Sequence, residues 1–271
     1  MDTNPNKEGW TGTQVSSRTF CLVANNPSPM TFSGTNTWII SEPGHSVCAV
    51  VDPGPESAVH LERILAVCKR SGVTIGAILI THEHIDHDES APHLSRLTHA
   101  PIYSRNKGNL AEGKLRIPGE GPLLHIVSLP GHSSDSVGIL VRDDAVLLTG
   151  DMLFCPGPTV ICAPDGVLAD YFESLNRLKS LVVDCGIKRF LPAHGPVIDD
   201  PLAQIQRAQA HRRQRLDQIR HALTNGVAAD SASVVAAVYA DIDPSLRSAA
   251  LCSVRAQLQY LADTEGLCRG V

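Results

Sequence analysis

The segment THEHIDHD, residues 81–88, places His82, His84 and His87 among Glu83, Asp86 and Asp88, directly after the apolar run GAILI of residues 76–80. Imidazoles and carboxylates crowded at the end of a buried run are costly unless paired, and a metal ion is one partner that offsets the cost. Three further residues of the same type follow apolar runs elsewhere: His132 after IVSLPG, Asp151 after AVLLTG and His194 after RFLPA. Five imidazoles and two carboxylates suit borderline divalent ions, zinc first. Seven donors exceed the need of one tetrahedral ion but fit two ions that share a bridge. On strand-like spacing His82 and His84 point the same way and could bind one ion with His132. Asp86 and His87, past a turn, could bind a second with His194, and Asp151 could give one oxygen to each. Two ions about 3.5–4 Å apart hold a hydroxide between them and polarise a substrate oxygen. The scattered His45, His60, His93, His99 and His125 read as surface or satisfied core residues.

The elements that must carry these donors are legible as apolar runs. TWIIS, SVCAVVD, AILIT, LLHIVSLP, VGILVRD, AVLLTGD and RFLPAHG read as strands, several apolar throughout and therefore buried on both faces. Helical periodicity marks SAVHLERILAVCKRSG, closed by Gly72, and LADYFESLNRLKSLVVDCG, closed by Gly186. Strands alternating with helices predict an α/β chain with helix-covered sheets. Sites in such chains form at the ends of buried strands, where the sheet holds the loops rigidly. From about Asp200 the strands stop and three helical segments follow, PLAQIQRAQAHRRQRLDQIRHALTNG, SASVVAAVYADI and PSLRSAALCSVRAQLQYLADTEG. They suggest a small separate domain.

The 271 residues, 43% hydrophobic and 19% charged, describe an ordinary globular chain, and a net charge of -5 is too mild to imply a polyanion partner while leaving room for a local basic face that binds nucleic acid. The 8 cysteines form no C-x-x-C pair and sit largely inside apolar runs, which predicts reduced, core-filling thiols. MDTNPNKEGW lacks the basic and apolar regions of a signal peptide, and no stretch is long and apolar enough to span a bilayer. These features together predict a cytoplasmic protein without a membrane partner.

THEHIDH, PGHSSDS, LLTGD and PAHGPVI resemble the successive metal motifs of the metallo-β-lactamase superfamily, and GTNTWII and VVDPG resemble the first strands of that fold. The match runs from about Gly34 to about Asp199. The helical tail resembles the winged-helix-like extension of the beta-lactamase-like-2 branch. The resemblance implies an α/β (α+β) chain: a four-layer αββα sandwich over residues 1–200 and a helical winged-helix-like domain over 201–271. It implies two Zn2+ per chain, with Mn2+ or Fe as alternatives, the first held by His82, His84 and His132 and the second by Asp86, His87 and His194, with Asp151 bridging. Asp52 of VVDPG then orients a ligand histidine, and Thr159 matches a threonine often found in the loop over the site. Many relatives continue the cluster with Ser-Gly-Gly; here Asp88-Glu89-Ser90 stands instead and reads as a helix N-cap.

The expected function is a two-zinc hydrolase in which a metal-bridging hydroxide attacks, with Asp86 relaying a proton and Asp151 holding both ions. A small-molecule ester or thioester is the leading substrate class, and single-strand-specific cleavage of RNA is the alternative. β-Lactam hydrolysis and a non-catalytic metal-binding role rank below them. The RNA alternative rests on Arg207, Arg212, Arg213, Arg215 and Arg220, which face a single acid, Asp217, on one helix. They read as a solvated face or as a phosphate-tracking surface.

Overall fold

The computed structural model describes residues 12–267. The leader reading of MDTNPNKEGW and the reading of Cys268 lie outside the described residues.

Two five-stranded sheets form the centre. The first comprises β1 (Thr19–Val23), β2 (Asn36–Ser41), β3 (Val47–Val51), β4 (Thr74–Leu79) and β5 (Ile102–Tyr103), in that spatial order. The second comprises β6 (Gly113–Arg116), β7 (Leu123–Ser128), β8 (Val137–Val141), β9 (Val146–Gly150) and β10 (Arg189–Pro192), in the order β10-β9-β8-β7-β6. All seven strands expected from apolar runs are present. The edge strands β1, β5 and β6 were not expected; β5 is two residues long and β6 is largely exposed, so neither carries a strong apolar pattern.

The alternation of side chains along each strand sorts the residues into layers. In β2, Trp38 and Ile40 join Val51 and Leu79 against Ile126, Ile139 and Leu148 of the second sheet. Their neighbour Ile39 faces outward with Val50 and Ile78, where α1 (Ala58–Arg70) supplies Leu61 and Ile64 and α3 (Ala91–Thr98) supplies Leu94. The outer face of the second sheet, with Leu140 and Leu147, packs on Tyr171, Leu175 and Leu178 of α4 (Leu168–Cys185). Helix, sheet, sheet and helix give the expected four layers. The short α2 (Ile85–Asp88) lies between β4 and α3.

The three C-terminal helices are α5 (Pro201–Thr224), α6 (Ser231–Val238) and α7 (Arg247–Glu265). Among the described residues no strand follows β10, so the helical segment carries no wing. Its apolar side chains Ile205, Leu216, Val234 and Val254 belong to one continuous cluster with α4 and the second sheet. No helix among the described residues is long and apolar enough to cross a membrane.

Three local expectations need correction. Cys162 and Cys252 form a disulfide across a sequence separation of 90. The reading of all cysteines as reduced therefore fails, and the cytoplasmic expectation loses that support. Ser90 begins α3 but makes no capping bond; its hydroxyl donates to Pro55 O at 2.6 Å, and Glu89 accepts from the Glu56 amide at 2.9 Å. Asp88-Glu89-Ser90 thus ties the metal-motif segment to the turn after β3. Finally, the α5 arginines are not one solvated face. Arg212 is 4% exposed. Arg215 lies over the Tyr239 ring at 4.5 Å, and Arg220 pairs with Asp217 and Glu265. Of the five arginines, Arg207 and Arg213 are exposed.

Candidate metal centre

The donors converge at the strand ends on one edge of the sandwich. His82 follows β4, and His84, at the N-terminal end of α2, turns its ring back toward it. The turn of α2 then delivers Asp86 and buried His87. His132 follows β7, Asp151 follows β9 and His194 follows β10. Gly131 allows the approach of His132 to α4: its φ is +136°, and a Cβ there would lie 2.5 Å from Tyr171 N.

Two triads result. His82 Nε2 and His132 Nε2 each lie 3.0 Å from His84 Nδ1. In the second, Asp86 Oδ2 lies 3.5 Å from His87 Nε2 and 3.2 Å from His194 Nε2. Asp151 stands between them. Its Oδ1 lies 3.6 Å from His87 Nε2 and 3.4 Å from His194 Nε2, and its Oδ2 lies 3.6 Å from His132 Nε2. The sequence expectation that His82 and His84 share a direction through strand spacing has a different basis, since both lie beyond β4 and present different ring nitrogens.

The far sides of the rings are held by the scaffold. His87 Nδ1 lies 3.0 Å from Asp52 Oδ2, and Asp52 also accepts from Thr81 N and Thr81 Oγ1 at 2.8 and 2.6 Å. His132 Nδ1 donates to Val160 O at 2.7 Å, and His194 Nδ1 faces Gly34 O at 3.3 Å. Carbonyl and carboxylate acceptors fix the proton on Nδ1 and leave Nε2 with its lone pair aimed inward. Thr159 is buried, and its hydroxyl donates to the backbone Asp151 O at 2.6 Å, so it holds the Asp151 main chain from behind. Asp135, inside PGHSSDS, accepts from the Glu83 amide at 2.9 Å and from Ser133 Oγ at 2.7 Å. Sequence reasoning quoted that motif without assigning it. Val160 O and Gly34 O had no signal at all, since every residue carries a carbonyl.

The donor set fits divalent ions. His87 Nε2 and Asp151 Oδ1 are buried, face each other and have no hydrogen-bond partner. With the His87 proton held on Nδ1 by Asp52, a lone pair on Nε2 and a carboxylate oxygen face each other, an arrangement that a divalent cation satisfies. The electrostatics agree. Burial alone would raise the Asp151 carboxyl, yet the His194 and His87 imidazoles hold it well below the usual carboxylate range. Burial opposes charge on His194, but Asp151 and Asp86 raise it to about 10. Burial and His87 keep His82 well below its ordinary value. The carboxylates thus draw positive charge onto His194 and His87, and a divalent ion would take the place of those protons.

Beyond the second triad, the Phe154 ring lies 6.0 Å from His194 and 5.5 Å from Phe32. A groove of about 730 Å³ opens there between the 29–32 loop, the 157–160 loop and the C-terminal helices.

The metallo-beta-lactamase superfamily model matches residues 30–109 and 101–194, which include every donor. The chain belongs to this superfamily. Within it, the chain is 28% identical over 253 residues to the beta-lactamase-like protein 2 homolog of Caenorhabditis elegans, covering 89% of this chain and 82% of that protein. It is 28% identical over 222 residues to the atrochrysone carboxyl ACP thioesterase of Aspergillus fumigatus, covering 78% of this chain and 66% of that one. The crystal structure of a beta-lactamase domain protein from Burkholderia ambifaria superposes with a TM-score of 0.75 at 20% identity, covering 96% of this chain and 89% of that chain. The fold shared with that structure extends over the helical tail as well as the sandwich.

Proposed function

We propose that this metallo-beta-lactamase-fold protein is a hydrolase of small-molecule thioesters or esters that works with two divalent ions, zinc first. The observation that carries the reading is the split of Asp151, which turns one oxygen to each triad. His82, His84 and His132 would hold one ion, and Asp86, His87 and His194 the other, with Asp151 serving both. The thioesterase named among the relatives supports the substrate class.

When bound, two such ions supply Lewis acidity, which makes water nucleophilic at neutral pH and polarises the scissile carbonyl. The chain does the rest. Asp52, Val160 O and Gly34 O fix the imidazole orientations, so no reorganisation is needed as charge develops. Asp86 has a side chain 27% exposed, against 10% for Asp151, so the Asp86 carboxylate is the one able to take a proton and pass it to solvent. Phe154 and Phe32 exclude water on the groove side. The helical segment, expected as a separate domain from residue 201, forms one wall of this groove, so we take the sandwich and the tail as working together on one substrate.

The test is reconstitution. Chelator-treated protein should be inactive, and zinc should restore turnover of simple thioesters at about two ions per chain. Activity independent of metal, or cleavage of single-stranded RNA with no thioester turnover, would overturn the reading.

A further inference from the structure

Arg212 carries a charge that the protein does not neutralise. It is 4% exposed, and burial is the leading influence on its guanidinium, which lowers its pKa. It donates to Thr159 O and lies 5.4 Å from the Tyr171 ring centroid. Among the described residues it forms no ion pair. Buried charges are retained when something pairs with them. A backbone carbonyl and an aromatic face hold a guanidinium in place without cancelling its charge.

Its position says what does. Arg212 lines the groove that begins beside the metal centre, as do Arg215, Phe32, Phe154 and Tyr239. Arg215 is half-buried over the Tyr239 ring, at 4.5 Å, and among the described residues also has no acidic partner. The one acid of the lining, Asp241, is exposed and pairs with neither arginine. The groove is therefore apolar and aromatic, with two guanidinium groups facing one exposed acid. Thr159 links it to the chemistry: its carbonyl accepts from Arg212 while its hydroxyl holds Asp151.

We propose that Arg212, assisted by Arg215, is an anion-binding site that selects substrates carrying an oxyanion next to an apolar portion. The inference rests on the thioester or ester hydrolase reading for its substrate, but the site itself does not depend on it. A guanidinium recognises carboxylate and phosphate alike through paired N–H donors. The anion therefore has two sources: a carboxylate on the acyl portion, or a phosphate on the thiol leaving group.

Three matched thioesters separate these sources. They are the hexanoyl thioester of N-acetylcysteamine, the adipoyl half-thioester of the same thiol, and the hexanoyl thioester of a phosphate-bearing thiol. In the zinc-loaded protein, one anionic substrate should exceed the neutral one in kcat/KM by about tenfold or more. Arg212→Met should bring that ratio to about one, Arg215→Gln should lower it, and Arg212→Lys should keep part of it. The arm showing the preference names the source. Ratios of about one for both anionic substrates in the parent protein overturn the proposal.

Binding to chelator-treated protein keeps the site testable if no thioester is hydrolysed, or if Arg212→Met does not fold. Calorimetry with adipic acid monoamide and n-hexyl phosphate should show tighter binding than hexanamide by about tenfold or more, and Arg215→Gln should reduce the difference. Equal binding of all three ligands refutes the anion site whatever the fate of the hydrolase reading.

Discussion

Asp52 Oδ2 lies 3.0 Å from His87 Nδ1 while both residues are fully enclosed, at 1% and 0% exposure. The carboxylate thereby sets the imidazole tautomer that leaves Nε2 facing Asp151. Asp52 itself sits at φ +48°, a conformation that asparagine also adopts readily. Asp52→Asn should keep the turn but lose the charge on the far side of the ring. Metal affinity, measured by competition with a chromogenic chelator, should fall by about 10–100-fold. Affinity equal to the parent would mean that His87 is oriented by packing alone.

Asp151→Ala removes the residue that touches both triads. Folding should persist, because the side chain lies at a strand end and not in the apolar layers. Metal content after reconstitution should drop below two ions per chain, and turnover should fall by orders of magnitude. A variant with parental metal content and turnover would rule out a shared carboxylate.

Metal removal should also lower the melting temperature. Ions bound to the folded chain stabilise it by mass action, about 4 kcal/mol when the free ion exceeds its dissociation constant a thousandfold. Calorimetric scans with zinc and with a chelator should differ, and the His82→Ala variant should show a smaller difference.

His60 makes a pH signature separate from the metal donors. Thr37 spends its one hydroxyl proton on Asp52 O at 2.7 Å, so His60 Nε2 must donate to Thr37 Oγ1 at 2.8 Å, while Nδ1 is buried with no acceptor among the described residues for a second proton. Burial, with Arg63 assisting, lowers its pKa from 6.5 to about 4. The unfolded chain then binds a proton that the folded chain refuses between those values. Stability from this residue is therefore complete above about pH 6.5 and declines as pH falls toward 4, by on the order of 3 kcal/mol over the window. In chelator-treated protein, His60→Gln should show a shallower acid decline than the parent by denaturant titration. Parallel declines would show that His60 is not the group responsible.

The Cys162–Cys252 bond closes a loop of sequence separation 90 and joins the 157–166 loop to α7. Chain-entropy arguments put its contribution at about 4.6 kcal/mol. Cys252→Ser should melt lower than the oxidised parent, and dithiothreitol should affect the parent while leaving the variant unchanged. A parent indifferent to reductant would show the pair to be unbonded in solution.

The sequence alone marked the candidate donors and predicted sheets covered by helices. His82, His132, Asp151 and His194 follow apolar strands and His84, Asp86 and His87 come in the turn just beyond one, and apolar runs and costly polar residues are local facts that need no third dimension. Helix ends at Gly72 and Gly186 were legible for the same reason, because the left-handed turn they make is a property of the residue.

Tertiary structure decided what depends on the partner across space. A backbone carbonyl that orients an imidazole, as Val160 O does for His132, leaves no mark in the residue type. Charge on α5 read as solvated because helical periodicity shows which residues share a face but not what that face meets. Packing against Tyr171 and Thr159 turned Arg212 inward, while Arg213, its neighbour in the chain, stayed in water. The same holds for Cys162 and Cys252: each lies in an apolar run that suggests a buried thiol, and only the docking of α7 onto the loop brings their Cα atoms to 4.9 Å.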